Sequence, residues 1–313
     1  MQLFRLSNLP PSSHLSSPPQ RGRMIAFAGH KTHLLEQGSG EAGAPVLLLH
    51  GCGSLAEEVL RPFAGLHHRL IAPDRPGYGF SAAPAAPEAG PAGQSIWLEQ
   101  LIAALSLGRI VLAAHSIAAG PALLLAARRP DLVAGLLLMA PFCRPTPHQA
   151  MPLLRAAVAP LIGPLLRRHL AEPLAPVLGR RALQACFHPE AVPRDLELPF
   201  RHMVAATALP SMAGELLAFN DDMERFDSLA PHIPVTVLQG QADATADPGW
   251  HWPWLAERAA QARLVLVPGL GHMPHHSRPA LARHLMTGLV AGEGRRAPAR
   301  QLARHAELVE EPA

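Results

Sequence analysis

The chain alternates between short apolar runs and longer runs with helical spacing. The short runs are rich in Val, Leu and Ile, which is typical of strands buried on both faces of a sheet. They lie at residues 45–49, 69–72, 109–114, 133–139, 234–238 and 263–267. Runs with helical spacing follow at residues 55–66, 94–107, 121–129, 250–261 and 279–290. This alternation predicts an α/β fold with a mostly parallel sheet and helices on both faces.

Two stretches depart from the alternation of strands and helices, and they define the predicted segments of the chain. Residues 24–29 and 32–37 form two strand-like runs around a Gly-containing turn, which indicates an opening hairpin. Between Phe142 and Pro231 the pattern is helical and broken by prolines, and it contains no convincing central strand. The predicted segments are a disordered leader (1–22), the first part of the core (23–141), a helical insertion (142–231), the second part of the core (232–291) and a C-terminal tail (292–313).

Composition narrows the class of protein. The chain has 313 residues, is 49% hydrophobic and carries a net charge of +3 from scattered arginines, so no basic stripe indicates nucleic-acid binding. Its apolar runs are too short for stable membrane insertion. Three cysteines without metal-ligand spacing, and no secretion signal, favour a reduced cytoplasmic setting. We expect a small-molecule substrate, and the oligomeric state stays open.

Residues 109–120 place a serine where a strand turns into a helix. Ser116 follows an apolar strand, and small residues lead from it into an Ala-rich helix. A sharp turn of this kind exposes the hydroxyl of a nucleophilic serine and leaves little room for flanking side chains. The usual pattern is Gly-x-Ser-x-Gly, whereas Ala114 and Ala118 stand here in place of the glycines. Taken alone, the stretch fits a catalytic and a structural serine equally well.

Other chemical groups also follow predicted strands. His50, Ser116, Asp243 and His272 each come just after one, and functional groups of parallel sheets gather at that edge. A serine hydroxyl needs an adjacent base to attack at neutral pH, and a histidine can supply it. A carboxylate behind the imidazole fixes its tautomer. We therefore predict Ser116, His272 and Asp243 as nucleophile, base and orienting acid.

The motifs together resemble the α/β-hydrolase superfamily, in its esterase-like branch with a helical cap. Five stretches carry the resemblance in the family's order: 47–51 (LLLHG), 74–81 (DRPGYGFS), the Ser116 turn, 240–243 (GQAD) and 271–274 (GHMP). The resemblance implies a cap at residues 142–231 and no cofactor. It also implies an oxyanion hole formed by the backbone N–H groups of Cys52 and Ile117.

Several residues compete for these roles. Asp247 is the alternative to Asp243 for the acid, although Asp243 has the Gly-x-x-Asp spacing. Cys52 is expected to line the oxyanion loop, and its thiol is a candidate for alkylation. His50 is expected to hold that loop, and His115 to pack.

His275 and His276 raise the possibility of a metal with His272. Adjacent histidines need a carboxylate or thiolate partner to converge on one ion, so a surface role is predicted and no metal is expected.

Together, these features predict that the chain is a serine hydrolase that cleaves a carboxylic ester with an apolar acyl or alcohol part. A serine at the turn, rather than an aspartate, argues against haloalkane dehalogenases and epoxide hydrolases, which use an aspartyl ester. Other chemistry of the same triad stays open: carbon–carbon bond hydrolase, lactonase, amidase, perhydrolase or acyltransferase. A non-catalytic binding module on the same fold also stays open. An interfacial lipid enzyme using residues 151–178 is a further alternative.

Overall fold

A computed structural model describes residues 20–38, 43–85, 88–147, 152, 155–156, 159, 162–204 and 208–292. Most of the predicted leader, almost all of the predicted tail and part of the apolar stretch at 151–170 lie outside these residues. Eight strands are described: β1 (Arg23–Phe27), β2 (His30–Gln37), β3 (Val46–Leu49), β4 (Leu70–Pro73), β5 (Ile110–His115), β6 (Val133–Met139), β7 (Val235–Gly240) and β8 (Ala262–Val267). The described α-helices are α1 (Ala56–Leu60), α2 (Pro91–Ala104), α3 (Ala119–Arg128), α4 (Ile162–Leu166), α5 (Glu172–Phe187), α6 (Phe200–Met203), α7 (Ala208–Met223), α8 (Pro248–Arg258), α9 (Pro274–Ser277) and α10 (Pro279–Val290).

The strands form one sheet in the order β1-β2-β4-β3-β5-β6-β7-β8. The opening hairpin β1–β2 is antiparallel, and β2 also pairs antiparallel with β4. All remaining pairs are parallel. The predicted α/β class and mostly parallel sheet are therefore confirmed. Because β3, β5, β7 and β8 run in parallel, the loops after them open at the same edge of the sheet.

Alternate residues of the central strands pack on opposite faces. Leu47 and Leu49 of β3 join a cluster with residues of α2, α3 and α8. Val46 and Leu48 join a second cluster with residues of α1 and α10. All four side chains are fully buried. A strand covered on both sides has to be apolar at every position, which explains the continuous apolar runs in the sequence.

The insertion between β6 and β7 is helical in its described part. It contains α4, a five-residue π-helical turn (Arg167–Ala171), α5, α6 and α7. Helix α7 packs against α2 of the core.

The apolar run at 55–66 contains a shorter α-helix than its spacing predicts. Helix α1 ends at Leu60, and a 3₁₀ turn (Arg61–Phe63) with Pro62 follows. None of the described helices combines the length and the apolarity needed to cross a bilayer.

Candidate active site

Ser116 lies at the turn between β5 and α3 in a left-handed backbone conformation. Its φ is +57°, a value that residues other than glycine rarely adopt. This backbone conformation costs on the order of 1–3 kcal/mol of free energy. Ala114 and Ala118 beside it are fully buried. The loop after β3 also approaches closely, since a Cβ added at Gly51 would lie 3.2 Å from the Ser116 Cβ. Only small residues fit around this turn, and alanines satisfy that requirement.

Ser116, His272 and Asp243 lie in one hydrogen-bonded line. The Oγ of Ser116 is 2.9 Å from Nε2 of His272. On the other side of the ring, Nδ1 of His272 is 2.8 Å from Oδ2 of Asp243. All three residues are buried. With the ring proton on Nδ1, where the carboxylate accepts it, Nε2 presents a lone pair to the serine hydroxyl.

Asp243 is itself held in place by other groups. Its Oδ1 accepts hydrogen bonds from the backbone N–H groups of Thr245 and Ala246, at 2.8 and 2.9 Å. The side-chain amide of Gln239 donates to Oδ2 at 2.8 Å. Asp247 does not reach His272: it is the N-cap of α8, and its side chain accepts from the Gly249 N–H. The structure brings Asp243, and not its competitor, to the imidazole.

The loop after β3 lies beside the serine. His50 Nδ1 donates to the carbonyl of Gly51 at 2.8 Å, and its Nε2 accepts from the backbone N–H of Arg75 at 3.0 Å. Burial and the nearby Arg75 charge lower the pKa of His50 to about 4, so the ring is neutral.

The two residues predicted for the oxyanion hole both lie near Ser116. Cys52 lines the same cavity as Ser116, and the Tyr78 hydroxyl lies 3.8 Å from the Cys52 Sγ. Ile117 directly follows the serine and is buried.

A buried ion pair fastens the insertion to the core behind this loop. Arg75 follows β4 and pairs with Glu215 of α7, and both side chains are fully buried. The second carboxylate oxygen of Glu215 accepts from the Tyr78 hydroxyl at 2.6 Å. Gln94 of α2 contacts both charged groups. Glu215 has no distinctive signal in the sequence, because no motif marks one acidic residue in an amphipathic helix.

A cavity of about 360 Å³ opens onto Ser116 and His272. Its wall combines the loop after β3 with the inner faces of α5, α6 and α7. Most of the lining is apolar, from Ala175, Leu178, Ala182, Leu183, Leu198, Phe200, Met203, Val204, Met212 and Met273. No lysine or arginine lines it within the described part of the chain. This apolar lining suits an uncharged, apolar group next to the Ser116 hydroxyl.

A second polar cluster lies next to the triad. His275 and His276 contact the Glu58 carboxylate through their Nε2 atoms, and the His115 ring lies 4.4 Å from that of His275. The predicted surface role of His275 and His276 is wrong, because His275 is fully buried and the His276 side chain is only 6% exposed. Burial alone would raise the pKa of Glu58, but hydrogen bonds from the two histidines hold it well below its usual range.

His115 connects this cluster to the loop that carries His272. Its Nε2 donates to the backbone carbonyl of His272 at 3.0 Å, and its ring lies 4.9 Å from the His272 ring. Burial and the neighbouring His275 lower its pKa well below the usual range. The neutral His115 ring therefore packs between His272 and His275 and supports the backbone of His272.

Comparisons with known proteins agree with this architecture. Among curated proteins, 2-hydroxymuconate semialdehyde hydrolase of Pseudomonas putida is 36% identical over 128 residues, covering 39% of this chain and 43% of that protein. The match thus spans less than half of that relative. An uncharacterised protein of Mycobacterium tuberculosis is 26% identical over 297 residues, covering 88% of this chain and 82% of its own.

Solved structures show the same fold at lower identity. An esterase from Thermogutta terrifontis superposes with a TM-score of 0.68 at 22% identity, covering 91% of this chain and 99% of its own. An enol-lactonase from Burkholderia xenovorans gives 0.69 at 20% identity, covering 86% of this chain and 100% of its own. The family model described as "alpha/beta hydrolase fold" matches residues 44–279. This chain belongs to the α/β hydrolase family.

Proposed function

We propose that this chain is a serine hydrolase that cleaves carboxylic esters through an acyl-enzyme on Ser116. The observation that carries the proposal is the line from Ser116 through His272 to Asp243, with contacts of 2.9 and 2.8 Å. A hydroxyl, a base and an orienting carboxylate at these distances form the arrangement that activates a serine.

Acylation begins when the Ser116 oxygen attacks the ester carbonyl carbon and its proton passes to Nε2 of His272. The carbonyl oxygen becomes an oxyanion that accepts hydrogen bonds from the backbone N–H groups of Cys52 and Ile117. Each donor of this kind typically contributes about 2.7–4 kcal/mol to transition-state stabilisation. The tetrahedral intermediate then collapses, His272 returns the proton to the departing alkoxide, and the acyl group stays on Ser116.

Deacylation repeats the sequence with water in place of the serine. His272 takes a proton from water as the water oxygen attacks the acyl carbon. Collapse of the second oxyanion breaks the bond to Ser116, and His272 returns the proton to the serine oxygen. The Asp243 carboxylate stabilises the imidazolium that forms twice in each cycle.

The apolar lining of the cavity supports an ester with an uncharged acyl or alcohol part. Helices α5 and α6 contribute Leu183, Phe200 and Met203 to that lining, and they belong to the segment that we propose as a cap over the site. A volume of about 360 Å³ is at the small end of the usual range for ligand pockets. We therefore expect short to medium apolar groups to be preferred.

A second candidate comes from the sequence relatives. The Pseudomonas putida relative is named for 2-hydroxymuconate semialdehyde. That molecule contains no ester, so its hydrolysis breaks a carbon–carbon bond. It also carries a carboxylate, which a site recognises best through a cation. Because no arginine or lysine of the described chain lines the cavity, the ester proposal is favoured.

A fluorophosphonate probe tests the nucleophile. We expect one covalent adduct on the wild-type protein, located at Ser116 by peptide mass spectrometry. Ser116→Ala is the matched variant, and Ser211→Ala, a buried serine of α7, is the control that should still be labelled. A folded wild-type protein that stays unlabelled would contradict the proposal and favour a non-catalytic binding module.

Substrate class is tested separately with p-nitrophenyl esters of increasing acyl length, alongside 2-hydroxymuconate semialdehyde. We expect the highest kcat/KM on an uncharged apolar ester. Faster turnover of the semialdehyde than of every ester would replace ester cleavage with carbon–carbon bond cleavage, and the role of Ser116 would then be tested on that reaction.

A further inference from the structure

We infer that Glu58, His275 and His276 form a binding site for a divalent transition-metal ion of the zinc class, beside the catalytic cavity. Glu58 lies on α1, just after the loop that follows β3, whereas the two histidines lie on α9, just after His272. One ligand atom from each residue lies within 4.8 Å of the other two. The inference concerns a second site, and the proposed ester cleavage does not require it.

The two imidazoles converge although they are neighbours in sequence. Nε2 of His275 lies 3.1 Å from Glu58 Oε1, and Nε2 of His276 lies 2.7 Å from the same oxygen. The ring centroids are 4.7 Å apart, with 55° between the ring planes. Glu58 is the carboxylate partner without which adjacent histidines do not form a metal site. It lies more than 200 positions away in sequence, so no local spacing could indicate it.

Charge is the main argument for a cation. The Glu58 side chain is 1% exposed, and its ion-pair partners among the described residues are these two histidines. Neither a lysine nor an arginine of that part of the chain pairs with it. Buried charges are normally paired with an opposite charge or coordinate a metal, and these histidines carry a charge only when protonated. A divalent ion between Oε1 and the two nitrogens would supply the missing positive charge.

The surroundings of the carboxylate also suit a metal ligand. Ser54 Oγ donates to the other oxygen, Oε2, at 2.6 Å, which orients the group as outer-sphere partners do in metal sites. Ser54 and Glu58 both line the cavity next to Ser116, so the proposed site borders that cavity. Two histidines and one glutamate form a ligand set found in zinc sites, whereas Mg²⁺ and Ca²⁺ prefer oxygen ligands.

Binding of Co²⁺ and Zn²⁺ to the full chain tests the site. The protein is freed of metal with a chelator and titrated with Co²⁺, whose visible d–d absorption reports coordination, and Zn²⁺ is titrated by calorimetry. We expect one ion per chain and an intense tetrahedral-type Co²⁺ band that Zn²⁺ displaces. Zn²⁺ should also raise the melting temperature.

Two ligand variants and one control variant test which residues bind the ion. Glu58→Gln and His276→Gln each remove one ligand, and we expect the affinity to fall more than about 100-fold, since losing an outer-sphere partner alone costs about 10–100-fold. His232→Gln changes an exposed histidine elsewhere and should bind like the wild type. If Glu58→Gln does not fold, His276→Gln decides, because His276 is the least enclosed ligand.

Absence of a one-to-one complex in the wild-type protein would overturn the inference. So would unchanged affinity in a folded ligand variant, or an equal loss in His232→Gln, which would indicate surface binding. Labelling of Ser116 by the fluorophosphonate is independent of all these outcomes, so the metal site and the proposed hydrolase function can fail separately.

Discussion

The backbone N–H of His272 donates a hydrogen bond to the carbonyl oxygen of Cys186 at 2.7 Å. Cys186 lies near the end of α5, within the insertion, while His272 follows the last strand of the sheet. The insertion therefore contacts the main chain of the proposed base directly, in addition to forming a wall of the cavity. The position of the imidazole depends on how α5 docks.

Gly271→Ala tests this dependence. A Cβ at Gly271 would overlap the carbonyl oxygen of His188 and lie 2.7 Å from that of Cys186. We expect the end of α5 to move away from the His272 loop and kcat/KM to fall about 100-fold, as small displacements of catalytic groups do. Gly249→Ala is the control, since its added methyl would meet the Asp247 side chain no closer than 3.3 Å. Equal kcat/KM in the two variants would show that the contact is unimportant.

Asp243→Asn and Asp247→Asn separate the two candidate acids. Replacing the carboxylate at His272 leaves the ring in the wrong tautomer, and in a serine protease this costs about 10⁴-fold in kcat. We expect a loss of that order in Asp243→Asn. Asp247 caps α8, and asparagine caps about as well, so that variant should keep both its activity and its melting temperature. Steady-state kinetics with one ester decide, and a larger loss in Asp247→Asn would reverse the assignment.

The buried pair of Arg75 and Glu215 predicts a strongly non-additive stability effect. Removing one partner leaves the other charge buried and uncompensated, so Glu215→Leu should lower the free energy of unfolding by about 3–5 kcal/mol. Arg75→Met alone should do the same. The double variant should recover a large part of the loss, because no charge is then left unpaired. Urea unfolding of all four proteins measures the coupling, and simple additivity would contradict it.

His33 makes stability depend on pH near neutrality. Burial alone would lower the pKa of His33, but hydrogen bonds to the Asp74 carboxylate and the Arg21 carbonyl raise it above 6.5. The stabilisation that protonated His33 gives the folded state is therefore complete below pH 6.5. It is lost as the pH rises through the raised pKa of His33. Asp74 adds no change in this window, because its pKa is lowered from 3.8.

Melting curves across that pH range check the effect. The melting temperature of the wild type should fall, relative to that of His33→Gln, as the pH rises. His30→Gln on the same strand is the control, and its difference from the wild type should stay constant. A constant difference for His33→Gln as well would contradict the prediction.

Cys52 should resist alkylation despite lining the cavity. Burial, with a smaller effect of Glu215, raises the pKa of Cys52 from 9.0 to about 12. At neutral pH this leaves about a thousandth of the usual thiolate, which is the reactive form. We expect iodoacetamide at neutral pH to leave activity unchanged while it modifies glutathione in the same tube. Rapid inactivation with label on Cys52 would show that the thiol is more accessible than its burial indicates.

The sheet and the three proposed catalytic side chains could be predicted from sequence because their signals are local. Each strand is a continuous apolar run, and Ser116, Asp243 and His272 each follow one directly. In a parallel sheet that position alone brings distant residues to a common edge. Ala114 and Ala118 depart from the usual glycines, but the turn requires small side chains, and alanine is small enough.

The contacts of the insertion and of Glu58 could not be predicted. Glu215 meets Arg75 across 140 positions, and its only local signal is a polar residue in a helix. Glu58 meets His275 across 217 positions. In these cases the partner is set by how α1, α7 and α9 dock, which hydrophobic periodicity does not encode. Without a visible carboxylate partner, the sequence predicts the pair His275 and His276 at the surface.

The ion pair between Arg75 and Glu215 also limits how this scaffold can be re-engineered. Substrate range could be altered by exchanging the helices of the insertion for those of another hydrolase. Such an exchange would leave the Arg75 guanidinium buried without its carboxylate partner. A graft therefore has to bring an acidic residue to the place of Glu215, or replace Arg75 with an apolar residue at the same time.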